Sequence, residues 1–279
     1  MRTLNIFHID KIIRDAGFGG SVPIIISANN KEYVLKTKED GMQPNSLGLF
    51  NELLAYQILS VLDYNICPQQ VDYLFIDDNF IEMAEVAFNE GYIKEESYEN
   101  IKNSEGINLG IEYLHNTMEP LDGKILNDNF IKDIAHIDNY IMNCDRSQGN
   151  INILQDKIHL KRYYAIDFGN AMGDGIDGIL YNKIINKDTD IFSEAKFSRC
   201  NANLSSRYIL KNDAKRLIKK GRIIKDDFST IRNILDNIVS NFPPDWEPIR
   251  YKNVIIEIIA RRMKSRDIFN QTEKCGCII

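Results

Sequence analysis

Residues 137–172, IDNYIMNCDRSQGNINILQDKIHLKRYYAIDFGNAM, decide how the chain is read. A helical run ends in Asn143-Cys144-Asp145, and a polar Arg146-Ser147-Gln148-Gly149 leads to Asn150. Two β-like runs follow. Ile151–Gln155 is rich in Ile and Leu. The second run sets Ile158, Leu160, Arg162, Tyr164 and Ile166 against His159, Lys161, Tyr163 and Ala165, a strand-like alternation. Asp156-Lys157 between them predicts a tight connection, and the second run ends in Asp167-Phe168-Gly169.

This order brings chemistry together. Asp145 and Asn150 share a short loop, and Asp167 stands at the mouth of the hairpin that follows. A carboxylate able to accept a hydroxyl proton, an amide oxygen and a second carboxylate then converge. Asn150 and Asp167 are hard oxygen donors of the kind that suits Mg²⁺. Asp-x₄-Asn followed by Asp-Phe-Gly is the spacing of the catalytic and metal loops in protein-kinase-like phosphotransferases. Taken singly, each element also fits a turn cap; the ordered set joined by a hairpin argues for a site.

Upstream, Leu4–Arg14 predicts a first strand, Ile24–Ala28 a second and Glu32–Thr37 a third, with Asn29-Asn30 as the turn between the last two. Between the first and second lies Asp15-Ala16-Gly17-Phe18-Gly19-Gly20-Ser21-Val22-Pro23. Glycines there let backbone amides approach phosphate oxygens, which makes Gly17, Gly19, Gly20 and Ser21 candidate nucleotide contacts. Lys36 closes the strand Tyr33-Val34-Leu35-Lys36. Leu47–Leu62 is an apolar helix with Asn45 or Ser46 as its cap, and Glu52 is its one charged residue before Asp63. A lone buried acid needs a partner, and Lys36 is the candidate. Val71–Ile76 and Phe80–Ala87 predict two further strands joined at Asp77-Asp78-Asn79, and the Glu-rich 89–106 a surface loop or short helix. Asn108–Leu114 is again extended, and its end predicts a hinge where main-chain groups of Glu112, Tyr113 and Leu114 meet adenine.

Downstream, Asn129–Met142 carries Phe130, Ile134, Ile137, Tyr140 and Ile141 at helical spacing. Helices are expected at 176–185, 191–197, 206–220, 226–241 and 248–266, with Pro243-Pro244 as a stop before the last. A β-rich front and a helical back define an α+β, two-lobe architecture: residues 1–114 as the nucleotide-binding lobe and 115–279 as the helical lobe with the catalytic and metal loops.

Bulk properties narrow the classes. The chain's 279 residues are 44% apolar and 27% charged, an ordinary globular composition with ample core. No apolar run has bilayer length, and Met1–Asp10 lacks a secretory pattern, so no membrane partner is expected. Five scattered cysteines point to a reducing cytoplasm. Cys275 and Cys277 lack a ligand cluster around them. A net charge of −6 argues against nucleic acid as the main partner. The basic neighbourhood between Arg207 and Lys225 fits a solvated helix face. His8, His115, His136 and His159 show no metal-ligand spacing, which disfavours a metal hydrolase.

With these residues in view, the sequence resembles the HipA-like kinase family, within the wider protein-kinase-like fold. The resemblance rests on Gly19-Gly20-Ser21-x-Pro23, the strand ending in Lys36, Asn51-Glu52-Leu53, Asn143-x-Asp145-Arg146-x₃-Asn150 and Ile166-Asp167-Phe168-Gly169, and covers most of the chain to Met172. It implies ATP and Mg²⁺ as cofactors. It also implies Asp145 as the group that orients or deprotonates the acceptor hydroxyl, Asn150 and Asp167 on metal, and Lys36 on phosphate. Ser21 becomes a candidate for self-phosphorylation, and an antitoxin-like protein a candidate partner. The sequence departs from eukaryotic kinases in having Cys144 before Asp145, Asn143 in place of a histidine, and no Ala-Pro-Glu after Gly169. The expected activity is transfer of the γ-phosphate to a hydroxyl, on protein serine or threonine. A small-molecule kinase of the aminoglycoside or choline type is the alternative, kept open by Asp174, Asp177, Asp188 and Asp190. A nucleotide-binding pseudokinase is the other.

Overall fold

Alternating apolar residues in the first third of the chain build one sheet, and its register decides which side chains face the site. A computed structural model describes residues 4–16, 23–40, 43–44, 46–62, 66–68, 70–120, 130, 133–134, 137–138, 141, 143, 152–169, 171, 228–246 and 252–264. Gly17, Gly19, Gly20, Ser21, Asp145 and Asn150 lie outside the described residues. So do the expected helices at 176–185, 191–197 and 206–220, the four downstream acids, the basic neighbourhood, and Cys275 with Cys277.

The sheet has six strands in the order β1-β7-β8-β4-β3-β2. They are β1 (Ile6–His8), β2 (Lys11–Asp15), β3 (Ile24–Ala28), β4 (Lys31–Lys36), β7 (Val71–Ile76) and β8 (Gly106–Glu112). A separate two-residue pairing joins β5 (Glu39–Asp40) to β6 (Gln43–Pro44). β2 and β3 form an antiparallel hairpin around the glycine-rich segment, closed by the Ala16 amide on the Pro23 carbonyl at 2.8 Å. β3 and β4 turn at Asn29 and Asn30, whose φ values of 48° and 59° are the left-handed pair that a two-residue hairpin demands and asparagine tolerates.

The expected single strand over Leu4–Arg14 is two strands with different neighbours. β1 runs parallel to β7, whereas β2 pairs antiparallel with β3. The chain changes partners at Ile9 and Asp10, where Ile9 is buried and the Asp10 amide reaches the Ser27 carbonyl at 2.8 Å. The adjacent polar pair Asp10-Lys11, followed by Ile12-Ile13, interrupts the apolar run at that point and is the one mark of the break in the sequence. The break has a consequence for shape. β1 and β2 are opposite edges of the sheet, about 24 Å apart if it were flat. His8 to Lys11 spans about 11 Å at most, so the sheet must curl to bring its edges together.

Phe80–Ala87, expected as a strand, is helical. Asp77 caps α2 (Asp78–Asn89) by accepting the Phe80 amide at 3.0 Å, and Phe80, Ala84 and Ala87 form the buried stripe. That spacing is helical, and the cap overrides the short apolar run. α3 (Glu95–Lys102) follows within the Glu-rich segment. Both helices cover one face of the sheet, packing on Ile24, Ile26, Tyr33, Leu35, Leu74 and Ile76.

The other face carries Val71, Tyr73, Leu109 and Ile111 and packs in a common core with α1 (Ser46–Val61). α1 is buried nearly all round, as its composition requires. Gly110 lets β7 and β4 side chains close over β8: a Cβ there would meet Leu74 Cδ1 at 2.7 Å and Tyr33 Cδ1 at 3.1 Å.

A three-stranded sheet is the remaining β-structure among the described residues, in the order β11-β10-β9. Its strands are β9 (Thr117–Met118), β10 (Ile153–Asp156) and β11 (Tyr163–Ala165). β9, two residues long, is too short to leave a periodic signal in the sequence. The connection between β10 and β11 is also longer than the expected Asp156-Lys157. Asp156 Oδ1 accepts the Ile158 and His159 amides, both at 2.8 Å, and turns the chain early. Ile158 and Leu160, part of the alternating run, are therefore exposed. From the expected helix at 129–142, the described Phe130, Ile134, Ile137 and Ile141 are all buried.

Two carboxyl-terminal helices, α4 (Phe228–Val239) and α5 (Lys252–Lys264), join the same core as α1. That core draws on residues from both sides of Leu114. No helix among the described residues is long and apolar enough to cross a membrane.

Candidate active site

The pleat of β4 sets the first side chain. Tyr33 and Leu35 face α2, so Lys36 faces the opposite side, toward α1. It sits opposite Leu109 of β8, which belongs to the α1 core. There Lys36 Nζ meets Asp167 Oδ1 at 3.2 Å across 131 residues of sequence. The lysine is about four-fifths buried, and the Asp167 carboxylate is 38% exposed.

Asp167 owes its direction to the backbone. Its φ of 58° is uncommon for a residue with a Cβ and marks strain of the kind that collects at functional sites. That turn sends successive side chains opposite ways. Asp167 meets Lys36, while Phe168 is fully buried and packs edge-on against Tyr56 of α1, with ring centroids 5.6 Å apart.

α1 holds this loop through two adjacent polar residues. Glu52 Oε2 accepts the Phe168 amide at 2.7 Å. Asn51 Nδ2 donates to the carbonyls of Gly169 at 3.0 Å and Ala171 at 3.1 Å. Both side chains are buried. Burial pushes the Glu52 carboxyl up to about 7; Lys36 draws it back down, the Asp167 carboxylate adds to the rise, and the Phe168 amide opposes it. The expected partnership of Lys36 with Glu52 is thus differently arranged. The ion pair at hydrogen-bonding distance is Lys36–Asp167, and Glu52 reaches the same loop through a backbone amide.

The expected hinge lies where the chain passes from the six-stranded to the three-stranded sheet. The Glu112 amide donates to the Gln70 carbonyl and the Tyr113 amide to the Glu32 carbonyl, both at 2.9 Å. The Leu114 carbonyl accepts Thr117 Oγ1 at 2.9 Å. The Tyr113 hydroxyl accepts Arg14 Nη2 at 2.8 Å, which ties the hinge to the strand entering the glycine-rich hairpin.

Lys36, Glu52 and Asp167 are therefore brought together, and Glu112, Tyr113 and Leu114 lie at the junction between the two sheets. Asn51 joins them from α1, beside Glu52. A second polar residue in the middle of an apolar helix, next to the one acid, was the available signal.

Curled sheet, α1 and the Asp-Phe-Gly loop place this molecule among proteins of kinase-like fold. Among solved structures, the chain is similar to the crystal structure of the Helicobacter pylori proinflammatory kinase CtkA, with a TM-score of 0.53. The two are 16% identical, and the match covers 98% of each chain. At that identity the likeness shows the fold alone. No protein-family model matches the sequence, and no curated protein does.

Proposed function

We propose that this chain is an ATP- and Mg²⁺-dependent phosphotransferase, a HipA-like kinase that delivers the γ-phosphate to serine or threonine of a protein. The observation that carries the reading is the meeting of Lys36 with Asp167 at 3.2 Å, backed by Glu52 on the Phe168 amide. The lysine is about four-fifths buried while the Asp167 carboxylate is 38% exposed, so the pair opens onto solvent where a phosphate and its counterion can enter. The donor chemistry fits as well. Asp167 offers a hard oxygen that solvent can reach, and Mg²⁺ needs only one or two protein carboxylates beside phosphate and water.

In this reading Lys36 turns from Asp167 to the phosphates, and Asp167 together with Asn150 takes the metal. Bound Mg²⁺ supplies neutralisation of the phosphate oxygens. Amides around Gly17, Gly19 and Gly20 add donors over the phosphates. The Glu112 and Tyr113 amides are engaged within the sheet, so the Leu114 amide, which donates to none of the described residues, is the donor for the adenine edge. Asp145 accepts the proton of the acceptor hydroxyl as that oxygen bonds to the γ-phosphorus and the bond to the bridging oxygen breaks, releasing ADP. The chain's share is positioning and charge compensation.

The test is transfer of label from γ-labelled ATP with Mg²⁺, offered to a protein mixture and, separately, to aminoglycosides and polyols. Label on protein serine or threonine is expected. Asp145→Ala should lower turnover by about 10²- to 10⁴-fold. Full activity in that variant removes Asp145 from its role, and label only on small molecules overturns the protein acceptor. Nucleotide bound without transfer to anything makes the chain a pseudokinase.

A further inference from the structure

Asn51 makes two hydrogen bonds from one side-chain nitrogen. Both acceptors are main-chain carbonyls, Gly169 at 3.0 Å and Ala171 at 3.1 Å, which fixes the amide's orientation. The side chain is 1% exposed, and its Oδ1 is buried with no hydrogen-bond partner among the described residues. Such an orphan costs roughly 1–3 kcal/mol, a burden that an apolar residue at this point of an apolar helix would not carry. The nitrogen's two bonds are therefore what the residue is there to make.

Those bonds fall on the loop that presents Asp167. Glu52 takes the Phe168 amide, and Asn51 takes the next carbonyl and the one two residues on. Two adjacent residues of α1 thus hold the backbone on the carboxyl side of Asp167, while Lys36 holds its carboxylate. Asp167 is left-handed at φ 58°, a conformation that persists only when its surroundings impose it.

We propose that Asn51 is a positioning residue, which locks Gly169–Ala171 against α1 so that the Asp167 carboxylate is aimed at the metal and phosphates. This rests on the phosphotransferase reading. Asn51→Asp keeps the shape and replaces the donor with an acceptor facing two acceptors; Asn51→Ala removes the donor without adding charge and serves if the aspartate variant does not fold.

Two measurements on the full chain decide it. The first, without nucleotide, is amide hydrogen exchange. The segment 166–171 should exchange at least about tenfold faster in the variant, with β3 and β4 unchanged. The second is binding of a fluorescent ATP analogue against Mg²⁺ concentration. The metal needed for half-maximal binding should rise by about tenfold or more, as for other groups that orient a metal ligand, with metal-free binding altered less than about twofold. Unchanged exchange overturns the clamp. A loosened loop with an unaltered metal requirement, or with metal-free binding reduced in parallel, overturns the positioning role. A wild-type chain that binds no Mg·ATP while its loop is protected overturns the phosphotransferase reading, and with it the link from Asn51 to metal, even though the exchange experiment still reports the clamp.

Discussion

At the scale of single residues, three ionisable side chains meet at the Asp167 loop, and Glu52, the one of them sealed from water, bears the cost. Its carboxyl is pushed up to about 7 from 4.5, chiefly by burial. The sign for stability follows. Between about pH 4.5 and 7 the folded chain holds a proton that the unfolded chain has lost, so Glu52 costs stability as pH rises through that window. Glu52→Gln keeps an acceptor for the Phe168 amide and removes the titration. Its melting temperature relative to wild type should therefore climb from pH 5 to pH 7.5, as read by thermal unfolding; a difference that stays flat with pH would refute the assignment. Lys36 and Glu52 were legible in the sequence, because an inward strand lysine and a lone acid in an apolar helix both require a partner. Their actual arrangement was not, because which oxygen lies nearest Lys36 depends on a positive φ at Asp167 that no pattern of residues announces.

Among the elements, the hairpins were clearer than the helix beside them. The β3–β4 hairpin is legible because Asn29-Asn30 suits two left-handed residues in sequence. α2 was not, since a short apolar run fits strand and helix equally, and the decision fell to Asp77. Its carboxylate accepts the Phe80 amide at 3.0 Å and meets His8 Nδ1 at 2.9 Å, and the amide bond and His8 together hold it below its usual range. Asp77→Ala should cost about 1 kcal/mol in chemical denaturation, the usual worth of such a cap. The contribution is present above the ordinary aspartate range and fades as pH falls below it, so the gap between wild type and variant should narrow under acid; an equal gap at pH 7 and pH 3 would show that the cap is not what matters.

For the molecule as a whole, the carboxyl-terminal helices are part of the support of the site. Trp246, between α4 and α5, is fully buried, packs edge-on against Tyr73 and Phe242, and points its indole nitrogen at the Ile107 carbonyl, 3.4 Å away. The Tyr73 hydroxyl donates to the Asn241 carbonyl at 3.0 Å, and Phe50 of α1 meets Phe242 edge-on. α1, which holds the Asp-Phe-Gly loop, is thus braced from behind by residues almost 200 positions further along the sequence. Trp246→Ala should cost about 3–5 kcal/mol, and protection of 166–171 should fall along with that of α4, since all share one core. Loss confined to α4 and α5 would mean that the brace does not reach the site. The sequence by itself determined the α+β class, the β3–β4 hairpin, the burial of α1 and the need of Lys36 and Glu52 for partners, because local periodicity and turn chemistry act over a few residues. Only the tertiary structure decided that β1 and β2 part company, that the sheet curls, that Asn51 grips the loop and that a distant tryptophan braces α1. Those outcomes come from contacts between segments far apart in the chain, and no local pattern records which segments will meet.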